Sequence, residues 1–173
     1  MMLQQVKFFL FFSFFVSAVS LTAQTTGKYG HMNLGNLLEA LPDSKKANID
    51  LEVFANKYTA KGDSLAKTLE TSAAKFQQDY QGGLLTAVVA QQQYAALEKQ
   101  QADLDKFEKE AQQQVAAKRD ELLKPILEKL YAAISAVGKE NGYLMIFDTS
   151  TGAALFALET EDVTALVKKK LGM

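Results

Sequence analysis

SKKANIDLEVFANKYTAKGDSLAKTLETSAAKFQQDYQGG, residues 44–83, decides the fold. Leu51, Phe54, Tyr58, Leu65, Leu69, Phe76 and Tyr80 recur at spacings of 3, 4, 7, 4, 7 and 4 with no proline among them. That recurrence predicts one long helix carrying a single narrow apolar stripe. Gly62 interrupts it at a cost of only about 1 kcal/mol relative to alanine, too little to end a helix of this length. Gln81-Gly82-Gly83 does end it, because adjacent glycines supply the positive φ of a C-terminal cap. At the other end Pro42 pushes Leu41 out of helical geometry, and Asp43 or Ser44 is expected to cap the first turn.

The chain should reverse at the glycines. A second periodic stretch runs from about Thr86 to Lys139, with Val89, Leu97, Leu104, Phe107, Ala111, Val115, Leu122, Ile126, Leu130, Ile134 and Val137 near helical spacing. Pro125 removes one backbone donor inside it, so a kink rather than a break is expected there. Upstream of the pair, Lys28 to Leu34 alternates like a short strand, and a helical turn over Asn36 to Ala40 should follow. Downstream, Tyr143 to Asp148 and Ala153 to Leu158 are two apolar runs separated by the turn signal Thr149 to Gly152, which predicts a β-hairpin. Thr164 is expected to cap a last short helix, Ala165 to Leu171, whose Lys168, Lys169 and Lys170 suit the negative end of its dipole. The predicted class is α+β and mostly helical: a long antiparallel helical hairpin on a small β-rich hub.

Residues 1–23 have the layout of a signal peptide, with Lys7 as the positive region and Phe8 to Val19 as the apolar one. Ser13 and Ser17 interrupt that run, which makes a membrane anchor the weaker alternative. Cleavage is expected after Ala23, or else after Ser20, and without cysteine no lipoprotein anchor is expected. The protein should therefore be exported to the periplasm. Six of the eleven phenylalanines leave with this segment, and losing Lys7 leaves 18 basic against 20 acidic residues, net −2. Such a balance gives no argument for nucleic acid as a partner. An exported chain without cysteine has no disulfide framework and must be held by packing or association.

A helix of some 38 residues spans about 55 Å, far beyond any core the other residues could form, so residues 44–137 must project as an arm with its tip near 81–86. The remainder, 24–43 with 138–173, is of a size at which one core is marginal. Association is the expected remedy, with Met32, Leu34, Ile146, Phe147, Leu155 and Phe156 as the residues of an oligomeric hub. The arm tip is apolar and nearly uncharged. Phe76, Tyr80, Leu84, Leu85, Val88, Val89 and Tyr94 are accordingly candidates for contact with a bound chain, since exposed apolar surface often marks a binding site. The alternative is that they merely close the helix pair, and the mixed expectation puts Phe76 and Tyr80 in the seam with Leu84, Leu85 and Val88 outside. His31 is the only histidine, so neither a histidine metal cluster nor a catalytic triad can be built. Gly82-Gly83 lacks the lysine and flanking strand of a phosphate loop. No enzyme activity, metal or cofactor is expected.

Four segments in order carry a resemblance: Lys28-Tyr29-Gly30-His31-Met32-Asn33; Leu41-Pro42-Asp43-Ser44-Lys45-Lys46-Ala47; Leu123-Lys124-Pro125-Ile126 with Glu140-Asn141-Gly142-Tyr143; and Asp162-Val163-Thr164. Flanking a glutamine-rich hairpin, they resemble the Skp/OmpH family of periplasmic chaperones over essentially the whole mature chain. The resemblance implies a homotrimer whose three arms surround a cavity, holding unfolded outer-membrane β-barrel proteins without ATP. It also leaves room for transient membrane contact. Two departures stand out: Asn33 replaces a common aspartate, and the chain is slightly acidic where well-studied members are basic. The second argues against electrostatic capture of acidic clients or lipopolysaccharide. The rival expectation is an exported structural or adaptor coiled coil of the cell envelope.

Overall fold

The computed structural model describes residues 27–173, so the expected signal peptide lies outside the described residues. Strand β1 (Lys28–Met32) leads into helix α1 (Leu34–Ala40), then into the two long helices α2 (Pro42–Gln81) and α3 (Ala87–Glu140). Strand β2 (Tyr143–Asp148) returns along α3, a 3₁₀ turn follows at Glu159–Glu161, and helix α4 (Thr164–Leu171) closes the chain. The long helices have 40 and 54 residues, or about 60 and 80 Å at 1.5 Å per residue. They form the arm. α3 runs through Pro125 as one helix.

Local chemistry explains where the helices begin. Asn33 caps α1 by accepting a hydrogen bond from the Asn36 N–H at 2.8 Å. The cap needs only a side-chain oxygen there, which asparagine supplies as well as aspartate. At α2 the expected side-chain cap from Asp43 or Ser44 is absent. Pro42 is itself the first helical residue, where its fixed φ fits and its missing N–H removes an orphan donor. Ser44 is instead buried beside the core. Similarly Thr164 is the first residue of α4 rather than its cap, and Asp162 Oδ1 accepts from the Thr164 N–H at 2.7 Å.

The core gathers Met32, Leu37, Leu41, Ala47, Ile126, Leu130, Ala133, Val137, Val163 and Val167. The roots of both long helices thus share side chains with the strands and α4. Gly30 sits where β1 crosses this core: a Cβ there would lie 2.8 Å from Val163 Cγ1 and 3.0 Å from the Tyr143 ring. Gly30→Ala is therefore expected to cost about 1–3 kcal/mol in chemical denaturation, as overpacking does.

The predicted β-hairpin does not form. β1 and β2 pair in parallel, Lys28 opposite Tyr143 and Met32 opposite Asp148, and residues 153–158 join no ladder. The turn signal is real, with Gly152 at φ 73° and its N–H donating to Thr149 O at 3.4 Å. It sends the chain across the sheet rather than back along β2. The segment arrives on the other side of β1, where the Val163 N–H donates to His31 O at 2.9 Å and Asp162 bridges His31. His31 Nε2 holds the crossing segment through Leu158 O at 2.8 Å. β1 is thereby flanked on both sides, and the outer edge of β2 has no strand partner among the described residues.

Asp148 ties the top of β2 to α1. Desolvation on its own would raise its pKa, but hydrogen bonds from the backbone and hydroxyl of Ser150 and from the Leu34 N–H outweigh it and hold the carboxyl below the ordinary 3.8. A depressed carboxyl contributes stability that is present above its unfolded pKa and lost as pH falls through the folded one. Acid unfolding of Asp148→Asn is accordingly expected to show less pH dependence below about pH 4 than the unaltered protein, read from denaturation midpoints across that range.

Candidate functional site

Three surfaces of the chain expose apolar side chains beyond what folding explains. The first is the arm tip. α2 stops in a Schellman motif, with Gly83 at φ 66°, the Gly83 N–H on Tyr80 O at 3.2 Å and the Leu84 N–H on Asp79 O at 3.0 Å. Thr86 then caps α3, its hydroxyl accepting from the Val89 N–H at 3.4 Å. Around this reversal the Phe76 ring lies 5.8 Å from Tyr80 and 6.5 Å from Tyr94, and Ala90 is buried.

Phe76 is half-buried in the seam as expected, but Tyr80 is 63% exposed. Leu84 (74%) and Val88 (65%) face outward as expected, whereas Leu85 turns half inward. Val89 and Tyr94 are exposed too. The tip thus presents an aromatic and aliphatic surface with one neighbouring ion pair, Lys75 to Asp79 at 2.8 Å, of the solvent-exposed kind that contributes little.

The second surface was not foreseen in the sequence. Midway along the arm the two helices leave an open trough of about 680 Å³ lined by Ala55, Tyr58, Gly62, Phe107, Ala111 and Val115, among others. Tyr58 and Phe107 stack at 6.1 Å across its end, and Lys61 Nζ lies 5.0 Å from the Phe107 ring centre. Small residues at facing stripe positions leave the seam unfilled there. The legible signal was Ala55, Gly62 and Ala66 opposite Ala111, where a continuous coiled-coil seam would carry larger side chains.

The third surface is the hub. Met32 is buried, and Leu34 and Ile146 pack partly against the core. Phe147 is 48% exposed, Phe156 83% and Leu155 98%. Leu144, Met145 and Leu158, which the sequence reading did not single out, are exposed beside them. Two of the six expected hub residues are thus almost wholly uncovered in one chain. Among the described residues no group of three His, Cys, Asp or Glu side chains is arranged to hold a metal, and no helix is long and apolar enough to cross a membrane.

Residues 28–171 match the family of outer membrane proteins termed OmpH-like. No curated protein sequence matches the chain. Among solved structures it resembles a candidate outer membrane chaperone (OmpH-like) from Caulobacter crescentus CB15, with a TM-score of 0.68 and 16% identity over 84% of this chain and 83% of that one. At that identity the likeness speaks for the fold.

Proposed function

Because the chain belongs to the OmpH-like outer membrane protein family, we propose that it is a periplasmic, ATP-independent holdase that keeps unfolded outer-membrane β-barrel proteins from aggregating. One observation carries this reading: a two-helix arm of about 60 Å or more leaves its tip residues Tyr80, Leu84 and Val88 and its mid-arm trough open to solvent. A structural spacer would gain nothing from such surface and would risk aggregation through it. Many weak apolar contacts spread along an arm suit a client without fixed shape. They also allow release without nucleotide hydrolysis, because a better partner can displace each contact in turn.

A single arm cannot enclose a client. The unpaired edge of β2, together with exposed Phe147, Leu155 and Phe156, supports a hub completed by further copies of the chain, a homotrimer by the family resemblance. In that reading residues 24–43 and 138–173 are the hub, residues 44–137 the arm, and residues 1–23 the export signal.

The test is aggregation of a urea-unfolded outer-membrane barrel, followed by turbidity at stoichiometric ratio, with the mass of the chaperone alone from light scattering. Suppression by an oligomer is expected, and Tyr80→Ser/Leu84→Ser/Val88→Ser should weaken it severalfold with mass unchanged. Absence of suppression by the unaltered protein would favour an envelope adaptor instead.

A further inference from the structure

Five asparagines stand in the sequence, and only Asn141 is followed by glycine. Asn33 and Asn36 precede leucine, Asn48 precedes isoleucine and Asn56 precedes lysine. The difference is chemical. A main-chain nitrogen can attack the side-chain amide carbon of the asparagine before it, and a side chain on the attacking residue hinders that approach, whereas glycine has none. Asn141-Gly142 is the one pair in this chain that combines the reactive amide with an unhindered nitrogen.

The turn from α3 to β2 needs both residues. Gly142 has φ 71°, a left-handed conformation that favours glycine. Asn141 is the C-cap of α3: its own N–H donates to Val137 O at 3.1 Å, and its side-chain amide donates to the same oxygen at 2.8 Å. A chemically vulnerable pair is thus fixed in place by backbone geometry and capping.

The same turn holds the reaction off. At Asn141 ψ is 5°, which sets the Gly142 nitrogen about a third of a turn from the Asn141 side chain around the Cα–C bond, whereas ring closure needs the two on one side. That angle cannot rotate alone. Upstream, α3 is anchored by buried Val137 and by the Glu140–Lys170 pair. Downstream, Tyr143 stands opposite Lys28 of β1, with Lys28 Nζ 4.1 Å from its ring centre and Gly30 packed against the ring. Turning ψ far enough for attack requires the start of β2 to come away from β1 or from α3.

We propose that Asn141 is a deamidation site which the closed hub protects and an opened hub exposes, so that copies whose hub has come apart acquire a covalent mark. In the opened chain the Gly142 nitrogen bonds to Asn141 Cγ, the Cγ–Nδ2 bond breaks, and the proton from the Gly142 N–H leaves with the amine as ammonia. Water then opens the resulting five-membered imide. Addition at Cγ gives aspartate on an unaltered main chain; addition at the main-chain carbonyl gives isoaspartate, whose backbone runs through the former side chain. Either product hinders reclosure. Aspartate replaces the donor on Val137 O with a carboxylate at the negative end of the α3 dipole. Isoaspartate adds one carbon between α3 and β2, which displaces Tyr143 from its place opposite Lys28.

The experiment is peptide mapping by mass spectrometry of the chain from Gln24 onward, which contains every described residue, incubated at mildly alkaline pH with and without guanidinium chloride. In denaturant, Asn141 should gain the mass of an amide-to-acid exchange ahead of the other four asparagines. The folded protein should react about tenfold or more slowly, because only its opened fraction reacts. Leu130→Ala, which weakens the hub core without touching the turn, should speed the reaction severalfold in the absence of denaturant. Asn141→Asp, which carries one product directly, should lower the denaturation midpoint. Equal rates with and without denaturant, an unaltered rate in Leu130→Ala, or an unaltered midpoint in Asn141→Asp would each overturn the proposal. The comparison with and without denaturant needs no variant, so poor folding of Leu130→Ala would not rescue it.

Discussion

Leu155→Ser/Phe156→Ser is expected to convert the proposed oligomer into monomers while leaving its helix content unchanged. In one chain these side chains are 98% and 83% exposed, so their loss removes almost no contact that holds the fold. Each should be worth about 1.5–3 kcal/mol only where a neighbouring copy covers it, and the pair would raise a dissociation constant about 10²- to 10⁴-fold per interface. Light scattering over a dilution series reads this directly. A variant that keeps its mass at the lowest concentration would show that these residues lie outside the interface. A variant that loses helix content would show that they support the chain itself.

Leu130→Ala should do the reverse and damage the hub from within. Leu130 is fully buried on α3, in the cluster that joins Met32, Leu37, Val163 and Val167. Truncating such a residue costs about 2–5 kcal/mol, and a hub of this size has little more than that to lose. The denaturation midpoint should fall sharply. Its neighbour Tyr131, 55% exposed, provides the control: Tyr131→Ala should change stability by no more than about 0.5 kcal/mol. Similar losses from both would mean that burial in the cluster around Leu130 does not set the stability, since alanine favours the helix at either position.

Helical periodicity and the turn at the glycines were legible in the sequence. The stripe from Leu51 to Tyr80 implied α2, and Gly82-Gly83 implied its end, because helical period and positive φ are properties of neighbouring residues. Thr86 and Asn33 behave as caps for the same reason. The capping of α2 and α4 was less legible: proline can occupy the first helical position with no side-chain cap, and a carboxylate two residues upstream can take the role given to Thr164. The place of the chain reversal was legible, yet Tyr80 and Leu85 exchanged their expected exposures. Their facing depends on how the helices meet after the turn, which no single helical pattern contains.

The hub shows the division most clearly. Apolar runs at 143–148 and 153–158 separated by a turn suggested two paired strands, and the turn exists. The strand partner was decided by the fold: β2 lies beside β1, more than 100 residues away, and the chain then crosses to the opposite edge of β1. The mid-arm trough is of the same kind, since it needs residues far apart in the chain to be set side by side. Neighbouring residues alone therefore specified the helical hairpin, because the physics of a helix is local. Which strand pairs and where the seam opens came from the packed molecule, because those depend on contacts that exist only after the long helices have folded back on each other.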